Sequence, residues 1–143
     1  MASVEDGTYT WTEFARPTQA GGSTIQASCQ FNNAIDSIHY SSTPPATLSV
    51  HGWWINVNCT KDIKAVVTTQ LQKKNSIGLW VDVGSRGVKT VYSGGGSANR
   101  STSRYACTSG SAHSFRAWVD VDVVGIPDLP DKYYHPEASF PCN

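Results

Sequence analysis

Four histidines are the side chains of this sequence best suited to acid–base chemistry near neutral pH. They are widely separated, and each lies near a predicted turn: His39, His51, His113 and His135. General acid–base catalysis needs groups within hydrogen-bond reach of a substrate. Because nothing in the spacing brings two of these histidines together, we expect each to be an exposed loop residue.

Two hydrolytic chemistries can be compared with the sequence. A serine hydrolase of the G-x-S-x-G type is disfavoured, since that motif is absent. A ribonuclease-like set of His113, Arg116 and an aspartate is conceivable, because paired histidine and arginine side chains stabilise phosphoryl transition states. A small secreted hydrolase, with ribonuclease as the leading type, is therefore the alternative function.

A row of aromatic and charged residues alternates with small apolar residues near the end of the chain. On a strand, this row would form the face opposite the core, and a second segment repeats the pattern: Arg116, Trp118, Asp120 and Asp122, with Trp80 and Asp82. Flat rings for stacking and carboxylates for orientation are what a sugar or a protein partner would use. We therefore predict a binding face here.

Two further tryptophans, Trp53 and Trp54, are adjacent in sequence. Adjacent residues of a strand point to opposite faces, so only one of the two rings can enter a given core. We predict that at least one ring in the set Trp53, Trp54, Trp80 and Trp118 is accessible and serves binding.

No metal or cofactor site is predicted. Asp120 and Asp122 would lie on one side of a strand, but two carboxylates are too few for calcium, which takes six to eight oxygen ligands. The cysteines show no C-x-x-C pair and no zinc-type spacing to a histidine.

The charge balance limits the classes of partner. Eleven basic residues match eleven acidic ones, which argues against a specific nucleic-acid binder and against a membrane-surface protein. No apolar stretch reaches the roughly 18 residues of a membrane span. Residues 61–118 are nevertheless basic, and a second candidate surface lies around Arg86, Lys89, Arg100 and Arg104.

Four isolated cysteines in a small chain indicate two disulfides and an oxidising compartment, so we expect a secreted protein. Cys29–Cys59 and Cys107–Cys142 are the favoured pairs, because the second would hold down a proline-rich tail. The sequence Tyr105-Ala106-Cys107 also resembles the tyrosine corner of immunoglobulin-like domains. That alternative topology would require a Cys59–Cys107 bridge.

Period-two alternation dominates the chain and predicts an all-β fold. Turn signals every 8–14 residues or so favour an antiparallel β-sandwich of about eight strands. The predicted core positions are Ile25, Ala27, Cys29 and Phe31; Ile55, Val57 and Cys59; Ala65, Val67, Thr69 and Leu71; Leu79, Val81 and Val83; and Phe115, Ala117, Val119, Val121 and Val123.

Two features modify this simple layout. The apolar parity switches after Val50, so we expect a bulge or bend at His51 and Gly52. Residues 126–143 hold several prolines and are expected to wrap around the single domain, residues 1–143, as an irregular tail.

The segment from Gly94 to Cys142 contains "GGGSANRSTSRYACTSG", "RAWVDVDVVG" and a terminal cysteine. In these features the chain resembles small exported actinobacterial proteins of unassigned activity. The resemblance implies export, disulfides and a β-sandwich, and it transfers no functional residue.

The sequence therefore favours a secreted, non-catalytic binding module with a protein or glycan partner. Microbial antagonism or inhibition of a foreign enzyme would suit such a module. A cleft that gathers titratable groups and an arginine would favour the hydrolase, and a surface that carries aromatic rings would favour binding.

Overall fold

The computed structural model describes residues 3–5, 7–15, 29–126 and 131–143. Within these ranges the regular structure is entirely β, as predicted, and eight of the eleven strands have four residues or more. The strands are β1 (Ser3–Glu5), β2 (Thr8–Ala15), β3 (Cys29–Asp36), β4 (His39–Ser41), β5 (Thr47–Asn56), β6 (Lys64–Lys74), β7 (Trp80–Tyr92), β8 (Ser101–Ala106), β9 (Ala112–Val123), β10 (Tyr133–Tyr134) and β11 (Ala138–Pro141).

All strand pairs are antiparallel, and their order is β1-β2-β3-β5-β8-β7-β6-β9-β10. Strand β4 adds to β5, and β11 adds to β9. The sheet curls so that β5 packs against β6 and β3 packs against β9. The result is one antiparallel sheet with a nearly closed, barrel-like shape. The predicted sandwich of separate sheets is not confirmed.

A bulge in β7 connects the two halves of this sheet. The pairing of β6 with β7 shifts register between Thr69 and Leu71, and the residues of β7 that bulge out are 84–86. Ser85 pairs with Arg104 of β8. Gly84, with φ of +72°, lies so close to the backbone of β8 that a Cβ there would meet the Arg104 carbonyl oxygen. Residues 84–86 thus form a bulge that bends β7 onto β8.

The inward row of β9 is as predicted, since Phe115, Ala117, Val119, Val121 and Val123 are all buried. The predicted row of β6 (Ala65, Val67, Thr69 and Leu71) faces them and is buried as well. Asp120 and Asp122 keep partial exposure between the valines, which avoids the cost of unpaired charge in an apolar interior.

The predicted bend at His51 and Gly52 is wrong. Leu48, Val50, Gly52 and Trp54 form one uninterrupted buried row, and the register of β5 with β8 runs through Gly52 without a shift. A Cβ on Gly52 would collide with Thr69 Oγ1 and would lie 2.9 Å from Val119 Cγ2. Glycine stands here because strands from the facing half of the sheet approach closely.

Apolar residues in two segments were wrongly assigned to the core. Ile55 follows Trp54 and is only partly buried, and Val57 is half exposed beyond the strand end. In the β6–β7 hairpin, Leu79 and Val81 are also exposed, although Val83 packs against the core. The predicted core residues Ile25 and Ala27 lie outside the described residues.

Both favoured disulfides are confirmed: Cys29 bonds to Cys59, and Cys107 bonds to Cys142. The Cys59–Cys107 bridge of the immunoglobulin-like alternative is therefore not formed, and that topology is not confirmed.

The tail is more regular than predicted, because β10 and β11 extend the sheet along β9. The His135 amide continues this pairing by donating to the Ala117 carbonyl at 2.7 Å.

Candidate functional site

The outer face of β7, β6, β9 and β10 carries a connected group of aromatic and charged side chains. We call it the arginine–aromatic surface and define it by Trp80, Asp82, Arg86, Arg116, Trp118 and Tyr134. Alternation along β9 places Arg116 and Trp118 opposite the buried valine row. The register of β6 with both neighbours then aligns Asp82, Gln72 and Arg116 across three strands.

Arg116 occupies the middle of this surface. Its guanidinium carbon lies 4.6 Å from the centroid of the Trp80 ring and 4.3 Å from that of Tyr134. Its Nε donates to Gln72 Oε1 at 2.7 Å. Two rings and one hydrogen bond therefore fix the plane of the guanidinium group. No ion pair joins Arg116 to a carboxylate within the described ranges.

A chain of hydrogen bonds runs from Arg116 to the bulge. Gln72 Nε2 donates to Asp82 Oδ1 at 2.9 Å, and Arg86 Nη2 donates to Asp82 Oδ2 at 2.6 Å. Arg86 Nε also donates to Gln70 Oε1 at 2.8 Å. Gln70 in turn donates through Nε2 to the carbonyls of Leu71 and Val83. Arg86 is thus anchored through Gln70 to the bulged part of the sheet.

Trp118 belongs to this outer face, yet only 3% of it is exposed. Arg86 lies over its ring at 5.3 Å, and Lys132 of the tail lies over it at 4.4 Å. Within the described part of the chain its Nε1 has no hydrogen-bond partner. Trp118 therefore supports the surface from below.

The other predicted rings are divided between core and surface. Trp54 is fully buried, and its Nε1 donates to the Val91 carbonyl at 3.1 Å. Trp53 points the other way and is half-buried, because the backbone of Gly95 covers its indole edge. Neither ring joins the arginine–aromatic surface. Tyr134, which is 41% exposed, was not among the predicted residues because it lies in the tail.

The two predicted carboxylates continue the outer row of β9 beyond Trp118. Asp120 pairs in register with Thr68, and Asp122 pairs with Val66. Both are partly exposed. They form an acidic end of the row whose other end is basic.

The residues of the ribonuclease-like set are not brought together. His113 lies three residues before Arg116 on β9, and alternation sends the two side chains to opposite faces. His113 lines an open cleft of about 380 Å³, together with Lys73, Lys74, Asn75, Ser76, Val81, Val83 and Tyr105. Of the residues that the structure describes, this lining holds one histidine and no carboxylate.

A second cluster, of Asp36, His39 and His51, was missed by the sequence analysis. Asp36 Oδ2 lies 2.8 Å from His51 Nδ1 and 3.9 Å from His39 Nδ1. Asp36 Oδ1 accepts from the His51 amide at 2.7 Å. His51 is thus a paired strand residue, contrary to the prediction of an exposed loop. Among the described residues, this is the group of three that could hold a metal ion.

The fourth histidine, His135, is buried against Tyr9, with ring centroids 5.0 Å apart. Burial lowers the pKa of His135 below 6.5, although the Pro136 carbonyl and the charge of Asp36 act in the opposite direction. The imidazole therefore stays neutral at neutral pH. It too differs from the predicted exposed histidine.

Comparisons with known families, with curated proteins and with solved structures found no match to this chain. The described residues include no helix long and apolar enough to cross a membrane.

Proposed function

We propose that this protein is a secreted, non-catalytic binding module whose arginine–aromatic surface binds an acidic group of a protein partner. Two disulfides are compatible with a protein that works outside the cell. The resemblance to small exported proteins agrees with this setting. Microbial antagonism or inhibition of a foreign enzyme are roles that such a module would serve.

The observation that carries the proposal is the state of Arg116. The ordinary cost of binding through an arginine is the loss of side-chain freedom. Here Trp80, Tyr134 and Gln72 already hold the guanidinium group. Since no carboxylate of the described residues forms an ion pair with it, it is ready to form a charge-assisted, two-pronged hydrogen bond with a carboxylate of the partner. Arginine, tryptophan and tyrosine are also the residues that dominate binding energy at protein interfaces.

A protein partner is favoured over a glycan because the ring faces are already in use. Lys74 and Arg116 both lie over the Trp80 ring. Arg86 and Lys132 both lie over the Trp118 ring. A sugar that stacks on either indole would have to displace one of these cations, whereas a carboxylate would meet Arg116 with its neighbours in place.

The alternative, a small secreted hydrolase, receives less support. His113 and Arg116 lie on opposite faces of β9, and the cleft at His113 has no carboxylate in its lining. Among the described residues, the histidine therefore has no carboxylate partner in the cleft.

The proposal is tested by capture with matched arginine variants. The wild type, Arg116→Lys and Arg104→Lys are immobilised and exposed to culture supernatant and to cell-envelope extract. Arg104 is an exposed residue of β8 outside the surface, and both substitutions keep the charge. We expect one protein to be recovered by the wild type and by Arg104→Lys, and to be lost with Arg116→Lys, because lysine lacks the planar fork.

Two results would contradict this proposal. Equal recovery of the same protein by Arg116→Lys would show that the surface is not used. Recovery of a glycan that needs Arg116 would keep the surface and overturn the class of partner.

A further inference from the structure

We propose that Asp36, His39 and His51 form a binding site for one divalent transition-metal ion of the Zn²⁺ or Cu²⁺ type. The inference is independent of the arginine–aromatic surface, because the three residues lie on β3, β4 and β5, in the other half of the sheet.

The strand pairing places the three side chains on one face. Strands β3 and β4 both pair with β5, one after the other along its length. Ile35 is opposite Gly52, so the next residue of the ladder, Asp36, comes opposite His51. His39 is opposite Ser49, which shares the outer face with His51 because they are two residues apart.

The short connection between β3 and β4 is itself fixed. Ser37 donates to the Gly7 carbonyl from both its amide and its hydroxyl, each at 2.9 Å, and Ile38 is buried. The positions of Asp36 and His39 on either side are therefore held by packing and by hydrogen bonds.

The donor atoms are already near a metal-binding arrangement. One ligand atom from each residue lies within 4.8 Å of the others. Tetrahedral zinc, with bonds of about 2.0–2.2 Å, needs donor atoms about 3.3 Å apart. Asp36 and His51 are held together by two hydrogen bonds. His39, 57% exposed, can complete the set by rotating its side chain.

The ligand types select the class of metal. Two imidazoles and one carboxylate suit zinc, copper and nickel, whereas calcium and magnesium need oxygen ligands. Three protein ligands also leave a coordination position for water or for another ligand, as at zinc sites with an open position. Asp36 and His51 are 17% and 18% exposed, so the site is reachable from solvent.

The experiment titrates the untagged, chelator-treated full chain with Zn²⁺ against a chromogenic chelator, and with Co²⁺ by visible absorption. The variants are His39→Ala, which removes an exposed ligand, and Asp36→Asn, which keeps an acceptor for the His51 amide. His113→Ala is the control, because it removes a histidine outside the cluster.

We expect one equivalent of Zn²⁺ per chain for the wild type and for His113→Ala. His39→Ala and Asp36→Asn should each bind at least about tenfold more weakly. The ring resonances of His39 and His51 should shift on addition of Zn²⁺, and those of His113 should not. Equal affinity of wild type and His39→Ala, absence of stoichiometric binding, or unshifted ring resonances of both His39 and His51 would overturn the proposal.

Discussion

Arg116 of β9 reaches across β6 to stack on Trp80 of β7, with 4.6 Å between its guanidinium carbon and the ring centroid. The two residues lie on strands that are not neighbours, because β6 pairs with both. Gln72 of that intervening strand holds Arg116 on one side and Asp82 on the other. The contact therefore depends on the register of three strands and gives the outer face a defined shape.

Trp80→Ala removes one of the rings that hold Arg116. Trp80 is half-buried on the outer face, so the variant should fold nearly as well as the wild type and should bind the partner about 2 kcal/mol less tightly. Trp54→Ala is the contrasting variant. Loss of that fully buried ring should cost about 3–5 kcal/mol of stability. Paired urea-unfolding and binding measurements separate the two; reversed effects would contradict our placement of the rings.

Gly52→Ala tests the close approach between the facing parts of the sheet. The added methyl group would collide with Thr69 and Val119, so we expect a loss of about 1–3 kcal/mol in the free energy of unfolding. Gly110→Ala is the control, because a Cβ there has no atom within 4 Å. Equal unfolding midpoints for the two variants would show that the packing at Gly52 is looser than described.

The Cys107–Cys142 bridge is expected to hold the tail against β9. It closes a segment with a sequence separation of 35, so the double variant Cys107→Ala/Cys142→Ala should lose about 2–5 kcal/mol of stability. Mass spectrometry of the non-reduced wild type should give the reduced mass less four hydrogens. Free thiols in an oxidised preparation, or a linkage other than the two described, would be incompatible with this structure.

The buried His135 makes stability depend on pH. Burial lowers its pKa in the folded state, so the unfolded chain binds more protons below about pH 6.5. The stability contributed by neutral His135 is therefore complete above that pH and is lost as the pH falls toward the folded-state pKa.

Two variants isolate the contribution of His135. His135→Phe keeps a ring against Tyr9 and should flatten the decline in stability between pH 7 and pH 5, as measured by urea unfolding. His113→Ala leaves His135 in place and should retain the decline. An unchanged slope in His135→Phe would show that His135 is protonated without penalty.

The sequence was sufficient to predict the all-β class and the alternation of β9, whereas the disulfide pairing was only the favoured one of three possible pairings before the structure confirmed it. In β9, buried valines strictly alternate with polar residues, so only one assignment of inward and outward side chains is possible. In β5 the same reasoning failed, because a glycine occupies a buried position and Ile55 and Val57 lie outside the core. Apolar residue type alone therefore assigned the wrong face.

The sheet's closure and the histidine cluster could not be predicted for a different reason. Closure depends on the bulge at 84–86, and Gly84 and Gly87 around it also fit an ordinary turn. The meeting of Asp36 with His51 depends on the register between β3 and β5, which no local pattern specifies. Arg116 was predicted on the correct face, but its stacking between Trp80 and Tyr134 required knowledge that the tail pairs with β9.

The proposed function depends on recognition of an acidic protein partner by a preorganised Arg116. Its most direct test is the equilibrium affinity of the captured partner for the wild type and for Arg116→Lys, measured by titration calorimetry at the same salt concentration. We predict a loss of about 2 kcal/mol or more, roughly 30-fold in affinity, with the melting temperature little changed. Equal affinities for the two proteins would show that Arg116 does not carry recognition of the partner.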